Sequence, residues 1–492
     1  MGGKTSRPNG LVNGGSCGGG GPGGCHHLLE GSTWLRNVVQ HHQKKRHGVS
    51  GFDRFSVEPF MIENGIEHYR VTVAFRNSKG RAQQVFWIVK VQADPLAENR
   101  INHEVKVYTE LLTEIGKFLA NKRNPRARYL LNIPDLIFHD RQWQGGKVIR
   151  CHLVTEDVTE TKRCNPLRIG RIIGGLNLGQ FKVLLGTLAQ FHAVGIAWSH
   201  ALKDDSLLDS FPFLYCQNDS VSGQARQRQV HLDNYQRLLE HHYPQPDARP
   251  RRLFELLRGQ AEDLLQDNLK EDMCDVLGSV CLGPVMSHEV MFQYESQFFD
   301  LCGVGGADNI IWNSVKYEED DENSNLTPIC AAVTNCQKVH FGHLLKELSV
   351  YFFTLPEALI RERYIVFLLQ SYCHVLTMTL EMLDVNWGRH FGDLTFTKMI
   401  VAFYSYIPQA LLRAVIAHME LTDPDHLEAH LASKETNFVI DPSSSVKDKS
   451  SHPTSPPSGS SSSASTPLKY IPLTKERIKF LLSLTNRVHK PV

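Results

Sequence analysis

The sequence has almost no net charge, no regular cysteine framework and no long apolar run. Its 492 residues carry 53 basic and 52 acidic side chains, so that the net charge is +1. This balance gives no electrostatic reason to expect a nucleic-acid partner. No apolar run approaches the length of a membrane span, and the N-terminus has no apolar signal-peptide core. The expected location is therefore cytoplasmic.

Cysteine usage argues against a fold that is held together by disulfides. The 11 cysteines are odd in number and irregularly spaced along the chain. Cys151, Cys330 and Cys336 lie inside apolar runs that have the character of strands. The sequence therefore predicts reduced and buried thiols.

Composition divides the chain into segments of different character. With 41% hydrophobic residues, the chain can bury a large core. Its start is Gly-rich and then basic, and a later stretch is Ser/Pro-rich, both of which are compositions typical of disorder. The predicted organisation is a disordered leader at 1–50, a β-rich lobe at 51–158, a helical lobe at 159–440, a disordered insert at 441–467 and a C-terminal helix within 468–492.

The hydrophobic periodicity changes once along the chain, from a strand pattern to a helix pattern. Strands are predicted at 56–62, 69–75, 85–91 and 148–156, with one helix at 99–117. Helices are then predicted at 177–194, 224–242, 251–268, 340–353, 357–384 and 395–418, interrupted by a strand pair at 310–312 and 330–334. This order predicts an α+β protein with a bilobal, protein-kinase-like fold.

A lysine and a glutamate form the first candidate site. Lys90 ends the apolar strand 85–91, and Glu104 falls within the apolar stripe of the helix 99–117. A carboxylate on a buried helix face is costly unless it is paired, and Lys90 is the obvious partner. Kinases use such a pair to orient the α- and β-phosphates of ATP. The alternatives are a lysine that extends to water and a glutamate at the edge of the stripe.

Three further segments have weaker patterns. The strand that ends at Glu156, Asp157 and Val158 suits a hinge whose backbone faces an adenine, although a strand followed by a polar turn fits equally well. His192 lies on the apolar face of a helix and is expected to be a hydrogen-bonded core histidine. The stretch 64–68 contains one glycine, which is more typical of a hairpin turn than of a phosphate-binding loop.

The order of these motifs resembles that of the ecdysteroid-kinase-like family, a branch of the choline-kinase-like and aminoglycoside-phosphotransferase-like enzymes. The resemblance rests on residues 89–90, 103–104, 155–158 and 188–193, and it runs from about residue 55 to residue 421. It implies an ATP-dependent phosphotransferase that acts on a hydroxyl, such as that of a steroid or a choline-like alcohol. ATP would be the cofactor, with Mg²⁺ on its phosphates.

The family's catalytic loop, Leu-Cys-His-Gly-Asp-x-x-x-x-Asn-Ile, is sought at residues 299–312. Counting back from Asn309 places Val304 at the position of the catalytic aspartate, and counting forward from the Leu-Cys pair places Gly305 there. Neither side chain can accept a proton. Asp308 is a weak substitute because it lies four residues from the position of the base. Asn309 would remain as one of the two metal-binding positions.

The second metal-binding position is also altered. The family has an aspartate after an apolar strand, and this chain has Asn335, with Gln337 as in the family. An amide offers no charge to a hard divalent cation, so there is little reason to expect Mg²⁺. Glu347 stands where a later helix of the family has an aspartate, and it is the other candidate to take over base or metal chemistry.

These departures predict a catalytically impaired pseudokinase with a binding or regulatory role. Lys90, Glu104 and the segment 156–158 leave ATP binding possible. One alternative is an active small-molecule kinase with rearranged chemistry. The other is a lipid-anchored scaffold, because Gly2 and Ser6 fit the N-myristoylation pattern and give a route to peripheral membrane contact. The expected partner is a small-molecule ligand or another protein.

Overall fold

The computed structural model describes residues 33–44, 48–63, 65–94, 97–144, 147–161, 165–166, 174–202, 207–214, 222–265, 277–294, 327–392, 394–433 and 473–486. Its first part is a five-stranded antiparallel sheet in the order β1-β2-β3-β5-β4. The strands are β1 (Val49–Glu63), β2 (Ile66–Asn77), β3 (Ala82–Gln92), β4 (Leu136–Gln144) and β5 (Lys147–Glu156). The predicted α+β arrangement is confirmed, since this sheet is followed by a mostly helical region.

Alternating side chains explain why the central strands form. In β2, Tyr69, Val71, Val73 and Phe75 are at most 1% exposed and share one face of the sheet, as the two-residue period of a strand requires. A turn follows β2, in which the Gly80 amide donates to the Asn77 carbonyl. Sequence analysis missed β4, because this edge strand mixes polar and apolar residues and lacks a clear alternation.

The single helix predicted at 99–117 is interrupted by a wider turn. It consists of α2 (Glu98–Lys106), one π-helical turn (Val107–Leu111) and α3 (Leu112–Ala120). Its stripe, including Ile101 and Ile115, is buried in the main core. The helix follows β3 and packs beside the sheet, and this places its glutamate against the strand.

The prediction that residues 1–50 form a disordered leader was wrong for its last part. Residues Thr33–Lys44 form a helix, α1. Leu35, Val38 and Val39 are at most 1% exposed and pack in the same cluster as the sheet residues, and Trp34 Nε1 donates to Asp140 Oδ2 of β4 at 2.6 Å. These apolar residues are spaced for one helix face. The basic residues around them hid that signal.

The helical lobe is the part of the chain that follows β5. Its helices are α4 (Val158–Thr161), α5 (Leu178–Ala201), α6 (Leu207–Ser210), α7 (Ser222–His242), α8 (Arg249–Gly259), α9 (Ala261–Leu264), α10 (Leu344–Thr354), α11 (Ala358–Arg363), α12 (Ile365–Met382), α13 (Trp387–Phe391), α14 (Phe396–Ser405), α15 (Ile407–Glu420), α16 (Pro424–Ala432) and α17 (Lys475–Asn486). Each of the three predicted helices at 251–268, 357–384 and 395–418 is divided into two.

Two small antiparallel sheets lie inside the helical lobe. One has the order β6-β8-β9 and the other pairs β7 with β10. Their strands are β6 (Asn165–Pro166), β7 (Gly278–Cys281), β8 (Val290–Tyr294), β9 (Pro328–Val333) and β10 (His340–His343). The predicted strand at 330–334 corresponds to β9, but the partner that the structure gives it is β8. The strand predicted at 310–312 lies outside the described residues.

The C-terminal helix α17 packs against the helical lobe. Ile478, Leu481, Leu482 and Leu484 are at most 2% exposed and belong to the main core. Arg477 is also buried, and its guanidinium donates to Nδ1 of His418 in α15 at 2.9 Å. The helix thus brings both apolar surface and one buried cation to the core. The predicted insert at 441–467 lies outside the described residues.

Among the described residues, two helices are long and apolar enough to cross a membrane by length and composition, and the bent pair α14–α15 would count as a third. The expectation that no apolar segment approaches that length was therefore wrong. In α5, 72% of the apolar window is buried inside the fold, and in α12 the share is 39%. The folded core thus accounts for much of the apolarity of α5.

The packing of α1 can be tested by truncating one side chain. We expect Leu35→Ala to lower the free energy of unfolding by about 2–5 kcal/mol, because a buried leucine leaves a cavity. Gln40→Ala is the matched control, since Gln40 is exposed on the same helix. Urea denaturation of the full chain measures both. Equal effects of the two substitutions would contradict the packing of α1 on the sheet.

The contact between α17 and α15 predicts a pH dependence. Burial, together with the neighbouring Arg477 and Arg361, lowers the pKa of His418 well below its usual value of 6.5. As the pH falls, His418 is therefore protonated in the unfolded chain before it is protonated in the folded protein. The stability that comes with neutral His418 is present above about pH 6.5 and is lost progressively below it. The loss is at most about 1.4 kcal/mol per pH unit.

Denaturation of the wild type and of His418→Gln between pH 7.5 and pH 5 isolates this contribution. The wild type should lose more stability than the variant over this range. His374→Gln, at an exposed position of α12, is the control and should follow the wild type. Parallel curves for the wild type and His418→Gln would show that His418 is not held neutral.

Candidate functional site

A cleft lies where the five-stranded sheet meets the small sheet β6-β8-β9 of the helical lobe. It has about 460 Å³ of empty space, part of which is open to solvent. Lys90 of β3, residues 155–158, Glu289 and Asn335 line it, together with residues of the β1–β2 hairpin. Every candidate cofactor-binding residue except Glu104 is therefore part of its wall, and Glu104 lies directly behind Lys90.

Lys90 and Glu104 form the buried ion pair that the sequence predicted. Lys90 Nζ donates to Glu104 Oε1 at 2.6 Å, and the two side chains are 2% and 0% exposed. Lys90 Nζ also lies 3.5 Å from the Thr334 carbonyl oxygen, and the Cys336 amide donates to Glu104 Oε1 at 3.2 Å. The pair thus connects β3, α2 and the segment that follows β9.

The thiols near this pair are neutral structural groups. Burial, with Glu104 nearby, raises the pKa of the Cys336 thiol to about 12. Burial likewise raises the pKa of Cys151 to about 11. Thiols with raised pKa values hold little thiolate and react slowly. Cys151 and Cys336 are buried and free of disulfides, as the sequence predicted, and so is Cys281, whereas Cys330 is free but only partly buried.

The candidate hinge follows β5, and its side chains are engaged by the fold. The Asp157 carboxylate is fully buried and accepts from Arg70 Nε at 2.8 Å. It also accepts from the amide of Thr159 at 3.0 Å and from its hydroxyl at 2.6 Å. Glu156 accepts from the Asp135 amide at 3.3 Å. These carboxylates hold the hinge in place, and the amides of Glu156 and Asp157 add to this by donating to the carbonyls of Asp135 and Phe86 at 2.9 and 3.0 Å.

The β1–β2 hairpin ends in a tight turn, as the single glycine indicated. Gly65 has a φ of +75°, and its carbonyl accepts from the amides of Ala93 and Asp94 at 2.9 and 3.1 Å. A side chain at this position would also meet the Cβ of Asp94 at 2.7 Å. The turn is thus tied to the end of β3, and its neighbour Asn64 lies outside the described residues.

The loop between β7 and β8, residues 282–289, brings an acidic side chain to the cleft. Glu289 is 2% exposed and faces Asn335, which is 6% exposed. Asn335 Nδ2 donates to Glu289 Oε1. The Met286 amide donates to Glu289 Oε2 at 2.6 Å, and the Gln337 amide donates to Asn335 Oδ1 at 3.1 Å. Each of these three side-chain oxygens already accepts a hydrogen bond.

Buried groups beneath the cleft hold this loop. The Gly283 amide donates to Glu347 Oε1 at 2.6 Å, and the Tyr351 hydroxyl donates to the Gly283 carbonyl at 2.7 Å. Lys338 Nζ donates to the Pro284 carbonyl at 3.2 Å. Gly283 has a φ of +81°, and a Cβ there would collide with the Lys338 carbonyl. The shape of the loop therefore depends on its backbone and its anchors.

His192 is a hydrogen-bonded core histidine, as predicted. It is fully buried, and its Nδ1 and Nε2 contact the Tyr372 hydroxyl and Glu347 Oε2. Glu347 also accepts a hydrogen bond from the Gly283 amide of the loop. The carboxylate that the sequence offered as a substitute base is therefore a buried anchor, outside the residues that line the cleft.

The other candidates for the catalytic loop are not part of the described structure. Val304, Gly305, Asp308 and Asn309 lie outside the described residues, as does Gly2. The structure instead brings Glu289, which the sequence analysis missed, to the cleft. A signal for it exists, because residues 280–290 read Val-Cys-Leu-Gly-Pro-x-x-x-x-Glu-Val. Their cysteine, glycine and length match the motif that was sought at 299–312.

Comparison with known proteins bears on the same region. The family model described as "Ecdysteroid kinase-like family" matches residues 67–302, and no curated protein matches the chain at a significant level. The matched residues include Lys90, Glu104, the hinge and Glu289. Residues 67–302 are therefore similar to the ecdysteroid kinase-like family, and the antiparallel sheet followed by a mostly helical region is consistent with the kinase-like fold of that family.

Proposed function

We propose that this protein is a catalytically impaired pseudokinase that binds a nucleotide and has a binding or regulatory role. The observation that carries the proposal is the hydrogen bond between Asn335 and Glu289 at the floor of the cleft. In an active phosphotransferase, the groups at this place hold the metal ion on the phosphates. Here the two side chains bind each other.

We infer that residues 280–290 take the place of the family's catalytic loop. They follow β7, lead into β8 and are anchored below the cleft, and β8 pairs with β9, which leads to Asn335. In this register Pro284 occupies the position of the catalytic aspartate. Proline has no group that accepts a proton. The alternative register at residues 299–312 places Val304 or Gly305 there, so the general base is missing in either case.

The metal-binding pair has exchanged its chemistry in the proposed register. Glu289 takes the position of the family's asparagine, and Asn335 takes that of its aspartate. The pair still carries one negative charge, but this charge now lies on Glu289 of the loop between β7 and β8. The side-chain amide of Asn335 points its nitrogen at this carboxylate. Mg²⁺ needs several oxygen ligands in near-octahedral geometry. Binding it would require the amide to turn over and this buried hydrogen bond to break, so we expect Mg²⁺ to bind weakly.

Nucleotide binding does not require the lost groups. The Lys90 ammonium is fixed by Glu104 at the wall of the cleft, where it can contact the α- and β-phosphates. The hinge 155–158 lines the same cleft, where it would contact the base of a bound nucleotide. We therefore propose binding of ATP, or of a ligand with similar phosphates, that depends little on metal.

Active phosphotransfer to a steroid or choline-like hydroxyl is the second candidate function. One observation favours it beyond the family match, because His288 is partly exposed and lines the cleft next to Glu289. An imidazole there could accept the proton of an alcohol. If His288 acts in this way, His288→Ala should abolish phosphorylation of the alcohol and leave ATP binding intact. The scaffold alternative rests on Gly2, and a cytoplasmic location with peripheral membrane contact remains a proposal.

Thermal unfolding with ATP tests the proposed function. We expect ATP without Mg²⁺ to stabilise the full chain by about 2.7 kcal/mol at 100 times its Kd, and Mg²⁺ to add little. The double variant Lys90→Met/Glu104→Gln should lose this stabilisation, and it leaves no unpaired buried charge. The control Arg76→Met/Asp53→Asn removes an exposed ion pair of the same lobe and should keep it. A shift that requires Mg²⁺ would show that a working metal site survives.

Restoring the family's side chains at positions 289 and 335 tests whether their exchange is the cause of the weak Mg²⁺ binding that we expect. In Glu289→Asn/Asn335→Asp, the carboxylate returns to the segment after β9, and we expect Mg²⁺ to tighten ATP binding by at least about tenfold. Glu289→Gln is the control, because it removes the charge without restoring the aspartate. Calorimetric titration of ATP with and without Mg²⁺ measures both. Equal Mg²⁺ dependence in the wild type and the reversed variant would refute the proposed register.

A further inference from the structure

Three histidines of the helical lobe meet at a place that is separate from the cleft. His241 and His242 end α7, and His430 belongs to α16. Each offers one ring nitrogen, and the three nitrogens lie within 4.8 Å of one another. His242 Nε2 and His430 Nε2 are 2.9 Å apart. All three residues are partly exposed, so that an ion from solvent can reach them.

Hydrogen bonding among the rings does not account for this convergence. Between His242 Nε2 and His430 Nε2, only one nitrogen can donate a proton, and the other must present its lone pair. The ring of His241 lies 5.1 and 5.2 Å from the other two. Its Nε2 is buried and has no hydrogen-bond partner among the described residues. A buried nitrogen without a partner is costly, and a metal ion bound by the cluster is one way to avoid that cost.

An ion pair fixes the two helices that carry the cluster. Arg237, one turn before His241 in α7, binds Glu428 of α16 through both guanidinium nitrogens, at 2.5 and 2.8 Å. Such bidentate pairs define the geometry of their partners. Glu428 is two residues from His430. The histidines are therefore presented from two helices that are already held together, which favours a preformed site.

We propose that His241, His242 and His430 form a zinc site with three imidazole ligands and a fourth position open to water or to an external ligand. Zinc prefers tetrahedral coordination, with Zn–N distances of about 2.0–2.1 Å. Two ligand nitrogens of such a site lie about 3.3 Å apart, so that His242 Nε2 and His430 Nε2, at 2.9 Å, would separate slightly and nitrogens as far apart as 4.8 Å would move closer. Imidazole also suits copper and nickel, and zinc is the ion for which three neutral nitrogens and one open position are a common set.

The bound ion would tie the end of α7 to α16. α7 packs on α15 and α8, and α16 packs on α7, so the ion would brace this face of the helical lobe. The site shares no residue with the cleft. It is therefore independent of whether the cleft binds a nucleotide, and the two proposals can fail separately.

Zinc titration of the full chain, after removal of metal by chelation, tests the site. Isothermal calorimetry should detect one zinc equivalent that is lost in the triple variant His241→Ala/His242→Ala/His430→Ala. Loss of a residue that merely supports a ligand costs about 10–100-fold in metal affinity. We therefore expect His430→Ala or His241→Ala alone to weaken binding by about 100-fold or more. Visible absorption of bound Co²⁺ reports on imidazole coordination in the same variants.

The matched control is His426→Ala. His426 lies on α16, outside the cluster, and contacts Asp423 at 3.3 Å. The zinc affinity of this variant should therefore stay within about threefold of that of the wild type, a much smaller change than the loss of a ligand causes. His430→Gln keeps a polar side chain and serves if the alanine variant does not fold. Zinc affinity and stoichiometry in the triple variant that match those of the wild type would overturn the proposal, because the zinc would then bind elsewhere.

Discussion

The Lys90–Glu104 ion pair is the interaction on which the arrangement of the cleft depends. Both charges are removed from water, so either one alone would carry a large desolvation cost, and the pair is stable only if both elements stay in register. Glu104 also accepts from the Cys336 amide. One carboxylate therefore fixes the helix α2 against β3 and fixes both against the segment after β9. The lobes meet at this point, and the cleft opens in front of it.

In the proposed function, a single exchange of side chains at the floor of the cleft separates binding from catalysis. A metal site needs two groups that turn oxygens towards the ion, whereas Asn335 turns an N–H group towards Glu289. The hydrogen bond satisfies both side chains without an ion, and in a buried place such a satisfied pair is stable. Lys90 is not part of this pair, so the charge that attracts phosphates persists. This arrangement supports the proposal that the cleft holds a nucleotide without activating it.

Local hydrophobic patterns predicted most of the helices and strands. The site was harder to predict, because several residues that define the family's motifs are replaced in this chain. Alternation identified β2, and a continuous apolar run identified β3. The costly glutamate in an apolar stripe identified the partner of Lys90. The edge strand β4 and the helix α1 were missed because polar and basic residues obscured their periodicity. Glu289 was missed for a different reason. Leucine, proline and glutamate stand where the motif has histidine, aspartate and asparagine. The cysteine, the glycine and the length of the motif were therefore the features left to identify the loop.

The anchoring of the loop makes its shape independent of the side chain at position 284. Glu347 and Tyr351 bind the amide and carbonyl of Gly283, and Lys338 binds the carbonyl of Pro284. All of these contacts are to backbone atoms, which any residue supplies. Only Gly283 is restricted, by its positive φ and the close Lys338 carbonyl. These contacts therefore do not depend on which side chain follows Gly283, and this is compatible with the proposed register, in which Pro284 stands at the position of the base.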